Sequence, residues 1–403
     1  MPAPSATLRA TISVLAPYFT LHLAAELERR GSLERFITGF PKWHMTKPEL
    51  RLGRLPSTGL VTLPISEYIW QIAKRWPAGR HFPRLHQRVA ELGQQARFEV
   101  FGYMASRRLG TCNLVIMDGG GTGRLIKAAR ERGAVTVLLA GSTHARFRER
   151  LLREERERNG VAYRSSFSPQ QTDELCAETE QYDYIDAASE FVRQSFLQEG
   201  IPPGRMKRHA YGTDTDYFRP GPKQDSVFRV LFPGLVGLRK GIQYLLPAFK
   251  KVARPGWELL VMGPIEGDAR DLLVKYDGTF QYSPGVPMSA LRDVYVNASV
   301  MVMPSIEEGL ARVIPESMAC GLPVIITPNS GGEEHVTDGV EGFVVPIRDV
   351  ESLAGRIEQL GNDADMRAEM GRRARARIEQ HDWRDYAREF VDTYEEIVRS
   401  RAS

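Results

Sequence analysis

The sequence has little of what covalent cross-links or a membrane span require. It holds three cysteines in 403 residues, Cys112, Cys176 and Cys320, and their wide spacing fits neither a disulfide framework nor a metal motif. We therefore expect a reducing, cytoplasmic compartment. No apolar run reaches the roughly 20 residues that span a bilayer. The first ten residues carry no hydrophobic segment of the signal-peptide kind.

Internal repeats and low-complexity segments are also absent from the sequence. Hydrophobic residues make up 42% of the chain and charged residues 26%, as is ordinary for globular proteins. At this length the chain is expected to form two or three domains.

Negative charge is scarce in the first half of the chain. Residues 1–215 hold 31 Lys and Arg against 22 Asp and Glu, and residues 42–130 alone hold 15 against 5. This excess favours an anionic partner, either a membrane surface or a phosphorylated acceptor, although a generic arginine-rich surface is an equal alternative. The stretch Tyr68–Trp76 mixes aromatic and basic residues and fits a membrane surface. A helix that turns Trp70 and Trp76 towards the core is the other interpretation, which the sequence slightly favours.

The order of apolar runs predicts an α/β protein with parallel sheets. The run Ala10–Ala16 is typical of a first strand, Thr20–Arg30 of a helix and Leu33–Thr38 of a second strand. Residues 40–60 have no clear period and predict a loop, and residues 66–109 predict two helices interrupted near Pro77.

A glycine cluster at residues 118–123 follows the apolar run Asn113–Met117. It is not a dinucleotide fingerprint, because position 126, where a third glycine would stand, is Ile126. We interpret the cluster as a place of close backbone approach near a cleft, with a substrate as one candidate neighbour.

The most informative stretch is residues 304–332. Pro315 predicts a helix that begins near Ile314 with Glu316 in its first turn, and Gly321 and Pro323 end it. Glu308 then lies in a loop before the helix, where free N–H groups favour an anion such as a diphosphate. The two carboxylates would repel phosphates but accept hydrogen bonds from hydroxyls, so they suit a sugar and a ribose. A capped helix with two solvated glutamates is the alternative.

This segment resembles the donor-site signature of retaining GT-B glycosyltransferases, glycosyltransferase family 4 (group 1). The likeness lies in Glu308, seven intervening residues and Glu316, followed by residues 318–324, MACGLPV. The chain departs from the family pattern at four positions, of which only the charged one is unusual: Leu310, Ala311, Arg312 and Ser317.

A second motif lies at residues 234–241, GLVGLRKG. The family pattern there is Gly-Arg-x-x-x-x-Lys-Gly, and this chain keeps Gly234, Lys240 and Gly241 but has Leu235 in place of the arginine. We expect the neighbouring Arg239 to supply the missing charge, since a guanidinium suits bidentate phosphate contact.

The resemblance implies a GT-B fold, that is, two Rossmann-like domains that face a central cleft. Residues 1–220 would bind the acceptor, residues 221–380 would bind the nucleotide sugar, and residues 381–403 would form a helix that crosses back to the first domain.

The resemblance also implies a function. It is the retaining transfer of a hexosyl-type sugar from a UDP- or GDP-sugar to a hydroxyl acceptor, in glycan, glycolipid or cell-surface polysaccharide synthesis. We expect no metal, no cofactor and no nucleic-acid partner. A lipid-linked acceptor and peripheral contact with the inner face of a membrane are candidates. Two alternatives stay open: a nucleotide-sugar 2-epimerase on the same fold, and a non-catalytic, membrane-associated subunit.

Site residues follow from matching positions. His144 follows the predicted strand Ala134–Ala140 and would contact the sugar, with the reacting centre as a further candidate contact. An ordinary surface histidine is the alternative. Glu308 would orient the sugar, Arg239 and Lys240 would stabilise the leaving diphosphate, and Glu316 would bind the ribose. The donor-binding set also includes Gly234, Val286, Gly309, Leu310 and Ala311.

Overall fold

The computed structural model of the chain describes residues 7–46, 54–75, 83–163, 165 and 168–402. Within them the chain alternates strands and helices throughout, and every strand pair is parallel. The strands are short aliphatic runs, most of them buried on both faces. This is the pattern that parallel sheets covered by helices require.

The first half of the chain forms one sheet, whose seven described strands run in the order β3-β2-β1-β4-β5-β6-β7. The strands are β1 (Ala10–Val14), β2 (Leu33–Thr38), β3 (Leu60–Thr62), β4 (Leu114–Met117), β5 (Val135–Ala140), β6 (Tyr184–Ala187) and β7 (Met206–Arg208). The helices are α1 (Thr20–Arg29), α2 (Lys42–Met45), α3 (Pro64–Lys74), α4 (Pro83–Ser106), α5 (Gly123–Arg130), α6 (Ala145–Arg158), α7 (Pro169–Thr179) and α8 (Glu190–Gln198).

The second half forms another sheet, whose six described strands run in the order β10-β9-β8-β11-β12-β13. The strands are β8 (Phe228–Pro233), β9 (Trp257–Met262), β10 (Gln281–Ser283), β11 (Val300–Met303), β12 (Val324–Ile326) and β13 (Gly342–Val344). The helices are α9 (Ile242–Val252), α10 (Arg270–Lys275), α11 (Met288–Val296), α12 (Val313–Ala319), α13 (Val350–Asn362), α14 (Ala364–Glu379) and α15 (Trp383–Ala402).

Both sheets have the doubly wound strand order of a Rossmann fold. In such sheets the strand order reverses between two central strands, here β1 and β4 in the first sheet and β8 and β11 in the second. Ligands bind outside the carboxyl ends of the strands at this reversal. The topology therefore selects the loops after β8 and β11 as a candidate site in the second half. This confirms the α/β class and the two Rossmann-like units expected from the sequence.

The chain passes between the two halves twice, at neighbouring points. Thr213 forms a bridge with Asp382, and a Cβ on Gly212 would lie 2.3 Å from the backbone of Asp382, so the two crossings touch. Beyond the second crossing, α15 packs on α1, and Tyr386 and Phe390 join the core beneath the first sheet. The domain boundaries at residues 220 and 380 stay a prediction.

The structure differs from the sequence prediction around residues 40–60, which were predicted as a loop. The short helix α2 lies within this range, and the edge strand β3 begins at its last residue. Three residues are too few for a periodic signal, and β3 exists because it pairs with β2. Trp76 and Pro77 lie outside the described residues, whereas the two predicted helices on either side are present as α3 and α4.

No helix in the described ranges is long and apolar enough to cross a bilayer.

Candidate functional site

Residues 304–332 fold as their proline and glycine residues predict. The helix α12 begins at Val313, carries Glu316 in its first turn and ends before Gly321, which adopts a left-handed conformation with φ +81°. The loop before it, residues 304–312, leaves the carboxyl end of β11 at the reversal of strand order.

The loop after β8 lies directly against this loop. The N–H of Ile306 donates to the carbonyl oxygen of Arg239 at 2.9 Å. Gly241 has φ +81°, and a Cβ there would lie 1.9 Å from the carbonyl oxygen of Pro304. Only glycine fits this contact. The two motifs found in the sequence therefore form one site.

The same loop also meets the first half of the chain. Ser189 Oγ, just before α8, donates to the carbonyl oxygen of Gly309 at 2.6 Å. A Cβ on Gly309 would lie only 1.8 Å from the carbonyl oxygen of Gly141, which follows β5. Leu310 packs into the core of the first half. The carboxyl ends of the two sheets thus face each other across this loop.

A fully buried carboxylate, that of Glu307, organises the contact. It accepts a hydrogen bond from Thr143 Oγ1 of the first half at 2.5 Å and an ion pair from Arg239 Nε of the second half at 2.6 Å. Burial raises the pKa of Glu307, but Arg239 and Thr143 together hold it below its usual range. Sequence reasoning missed this residue, because nothing in the pattern separates it from the adjacent Glu308.

Glu308 and the two predicted cations form the rest of the cluster. Arg239 donates from its second guanidinium nitrogen to Glu308 at 3.0 Å, and the ammonium group of Lys240 also contacts Glu308. Burial and the charge of Arg239 lower the pKa of Lys240. Two basic groups thus meet two carboxylates, so the cluster has no excess of positive charge.

Glu316 lies apart from this cluster. Its carboxylate is buried and accepts a hydrogen bond from the hydroxyl of Tyr295 at 3.0 Å. Burial raises the pKa of Glu316, and the charge of Arg312 opposes that rise. A cavity of about 50 Å³ adjoins it, whose lining includes Tyr18, His22, Arg312 and Glu316.

A larger cavity of about 320 Å³ lies between α6 and the loop after β8. Its lining includes three arginines and three glutamates: Arg148, Arg156, Arg239, Glu149, Glu155 and Glu266. Glu155 is fully buried and accepts hydrogen bonds from Gln243, Tyr244 and Arg348 of the second half. This side of the cleft is therefore a second polar contact between the halves.

His144 lies beside the cluster, but its ring points elsewhere. The ring packs edge-on against Phe196 with centroids 5.2 Å apart, and its Nδ1 has no hydrogen-bond partner among the described residues. Burial lowers the pKa of His144. The neighbouring Thr143, which the sequence did not single out, is the residue that reaches Glu307. A role for His144 at the sugar stays a prediction.

The remaining predicted donor residues occupy the same edge of the second sheet. Gly234 has φ +115° after β8 and donates to the carbonyl oxygen of Met262 at 2.8 Å. Ala311 is buried, and its N–H donates to Ser330. Val286 follows β10 and is 37% exposed.

The glycine cluster 118–123 makes its close approach to the protein itself. A Cβ on Gly121 would lie 2.6 Å from the side chain of Phe98. The N–H groups of Gly120 and Thr122 donate to the carboxylate of Glu178 at 2.9 and 2.8 Å. These two backbone N–H groups therefore bind the side chain of Glu178 and not a substrate.

The fit of Gly309 against Gly141 gives a test of the interface. We expect Gly309→Ala to force the two loops apart and to lower the free energy of unfolding by about 1–3 kcal/mol, as overpacking does. Urea unfolding measures this. Gly267→Ala is the control, because a Cβ there meets no atom within 4 Å. Equal stability of the two variants would show that the halves do not pack this closely.

Comparison with known proteins agrees with this architecture. Residues 214–377 match the family model "Glycosyl transferases group 1". The D-inositol 3-phosphate glycosyltransferase of Paenarthrobacter aurescens is 28% identical over 257 residues, which cover 61% of this chain and 60% of that protein. The capsular polysaccharide biosynthesis glycosyltransferase CapM of Staphylococcus aureus is 32% identical over 159 residues, 38% of this chain and 41% of that one. The chain thus spans between two fifths and three fifths of these relatives.

Solved structures resemble the whole chain. Anabaena Alr3699/HepE, solved in complex with UDP and glucose, superposes with a TM-score of 0.67 at 14% identity, over 96% of this chain and 100% of that one. Sucrose-phosphate synthase from Thermosynechococcus elongatus also gives a TM-score of 0.67, at 18% identity, over 99% and 100%. These likenesses establish the fold. The chain as a whole has the GT-B fold, and its residues 214–377 resemble the group 1 glycosyl transferase family.

Proposed function

We propose that this protein is a retaining glycosyltransferase that moves a sugar from a UDP- or GDP-sugar to a hydroxyl acceptor. The observation that carries the proposal is the position of Glu308 and Glu316. Glu308 lies in the loop after β11 and Glu316 lies in the first turn of α12, at the reversal of strand order, where the carboxyl ends of both sheets meet.

The carboxylates suit hydroxyl groups of the donor. Glu316 would accept hydrogen bonds from the ribose hydroxyls, and Glu308 would orient the sugar. Both are already held by neighbours, Tyr295 and Lys240, so the donor would meet groups whose orientation is fixed. Preorganised polar groups stabilise a transition state without reorganising during the reaction.

The donor would enter by separation of the halves. The cavity beside Glu316 holds about 50 Å³, which admits a water or two but no nucleotide. The two crossings at Thr213 and Asp382 lie side by side and are suited to act as a hinge. The polar contacts at Glu307 and Glu155 would then break and re-form as the donor binds.

A front-face mechanism needs no enzyme nucleophile, and we assign none. Leaving-group charge would be met by a guanidinium, without a metal. The anomeric configuration of the product, read by NMR, tests retention, and turnover in EDTA tests metal independence. Release of the nucleoside diphosphate that requires an acceptor supports transfer, whereas acceptor-free conversion of the donor sugar would indicate an epimerase. Tight donor binding without any turnover would indicate a non-catalytic subunit.

The acceptor is assigned only by class. The name of CapM refers to capsular polysaccharide biosynthesis and that of the P. aurescens relative to D-inositol 3-phosphate. We propose synthesis of a glycan, glycolipid or surface polysaccharide, with a lipid-linked acceptor reached from the cytoplasmic side of a membrane.

The ribose assignment gives the first test of the proposal. Glu316→Ala should weaken binding of UDP or GDP by about tenfold or more in calorimetry, since a charged hydrogen-bonding group is worth about 1.5–3 kcal/mol. Glu351→Ala is the control, because that side chain is 78% exposed on α13. Unchanged nucleotide affinity in Glu316→Ala would remove the ribose role.

The basic part of the first half has a surface suited to a membrane. Ile65, Tyr68 and Ile72 of α3 recur at helical spacing on one exposed face, and Ile72 is 72% exposed. Leu85 and Leu92 of α4 are exposed as well. We call these five side chains the apolar face. The exposed basic residues nearest to it in the sequence are Lys74, Arg75 and Arg88.

Trp70 neither points into the core nor is free to contact a membrane, which were the two interpretations that the sequence allowed. Its ring is partly buried and is covered by Lys74 and Arg97, each 4.8 Å from the ring centroid. The apolar contact with a membrane therefore rests on the aliphatic residues and Tyr68. Arg80, a further basic residue of this stretch, lies outside the described residues.

A membrane role predicts salt-sensitive binding. The protein should sediment with vesicles that contain anionic lipid at low salt, be released at high salt and ignore neutral vesicles, because each nearby Lys or Arg contributes about 1 kcal/mol and screening shortens its range. Reversal of Lys74, Arg75 and Arg88 to Glu should abolish sedimentation.

The matched control reverses the same number of charges on the second half: Lys250, Lys251 and Lys275 to Glu, all of which are exposed. This variant should sediment like the wild type. Loss of binding in both triple variants would mean that net charge alone is responsible. A wild-type protein that stays in the supernatant at low salt would favour a phosphorylated, soluble acceptor instead.

A further inference from the structure

The cations that the motif supplies are already neutralised. Arg239 uses Nε for Glu307 and a terminal nitrogen for Glu308, and Lys240 contacts Glu308 as well. Glu307 is fully buried, so releasing Arg239 would leave a buried carboxylate without its cation. A diphosphate that took Arg239 as its partner would have to break this pair.

The larger cavity on the same side offers no spare charge either. Its three arginines are matched by three glutamates, and Arg156 is paired with Asp268 at 2.9 Å. Neither the cluster at Glu307 nor this cavity therefore has an excess of positive charge for a leaving diphosphate.

Arg312 is different. It is exposed, it is the residue immediately before α12, and no ion pair joins it to a carboxylate in the part of the chain that the structure describes. It lines the cavity beside Glu316. It is also the charged departure from the family pattern noted in the sequence.

The spacing of Arg312 and Glu316 suits a nucleotide. The N–H of Glu316 donates to the carbonyl oxygen of Arg312 at 3.1 Å, so the two residues are one helical turn apart. Side chains at this spacing have Cβ atoms about 5–6 Å apart on one face. A ribose whose hydroxyls bind Glu316 therefore has its 5′-phosphates within reach of a long, flexible arginine side chain.

The opposite wall of this cavity adds no competing cation. His22 is partly buried there, and this burial lowers its pKa to about 4, so its ring is neutral near pH 7. The carboxylate of Asp214 accepts a hydrogen bond from the N–H of Tyr217. Tyr18, whose φ is +26°, is 54% exposed and also lines this wall. A non-glycine residue with positive φ is a feature found at ligand sites.

We infer that Arg312, and not Arg239, is the guanidinium that pairs with the diphosphate of the donor, while Arg239 holds the two carboxylates in place. The inference rests on the proposed nucleotide-sugar function and assigns this residue a role in it. A guanidinium presents paired N–H donors that match phosphate oxygens, and its charge stabilises the diphosphate as it leaves.

Calorimetry that compares a nucleoside diphosphate with its nucleoside tests the assignment. For whichever of UDP and GDP the wild type binds, affinity is compared with that for the matching nucleoside. Arg312→Leu should weaken diphosphate binding by about ten- to a hundredfold and change nucleoside binding by less than about twofold, because only the phosphates lose a charged partner. Arg312→Lys, which keeps the charge but not the fork, should recover part of the loss.

Two further variants complete the experiment. Arg372→Leu, an exposed arginine paired with Glu369 on α14, should bind like the wild type. Arg239→Leu should lower the unfolding temperature and keep most of the preference for diphosphate over nucleoside. Undiminished diphosphate binding in Arg312→Leu would overturn the inference, and so would equal losses for nucleoside and diphosphate. Failure of the wild type to bind either diphosphate would instead overturn the proposed function.

Discussion

The site depends on the hydrogen bond and the ion pair that the buried carboxylate of Glu307 makes. This carboxylate receives Thr143 from one half of the chain and Arg239 from the other, with no exposure to solvent. A carboxylate without its partners at this position would cost about 3–5 kcal/mol, so the pair fixes both loops at once. Through Arg239 it also fixes Glu308, and through the loop it seats Gly309 against Gly141. The geometry of the cleft follows from this single group.

The parts of the structure predicted from sequence are those with local causes. Pro315 and Gly321 placed α12 within a residue or so, since each acts on its own backbone. The alternation of apolar runs gave the two parallel sheets, because a buried parallel strand needs a continuous aliphatic run. The resemblance to the family predicted that the loops after β8 and β11 belong to one site. In the structure these loops touch where Gly241 packs against Pro304.

The parts that were missed depend on contacts between distant residues. Glu178 accepts hydrogen bonds from the glycine cluster although it lies 56 positions after Thr122 in the sequence. No local sequence pattern predicts such a contact. Glu307 and Glu308 are adjacent in a loop, where there is no periodicity to show which one is buried. Arg239 looked like a free phosphate ligand in the sequence because its two carboxylate partners lie 68 and 69 positions further on.

In the proposed complex the nucleotide lies between the loops after β8 and β11, with its ribose on Glu316. A crystal structure of the protein grown with UDP or GDP is the decisive test. We expect ribose hydroxyls within hydrogen-bond distance of the Glu316 carboxylate and the diphosphate on the side of Arg312. A nucleotide bound elsewhere, for example at the glycine cluster of residues 118–123 with the cleft empty, would contradict it.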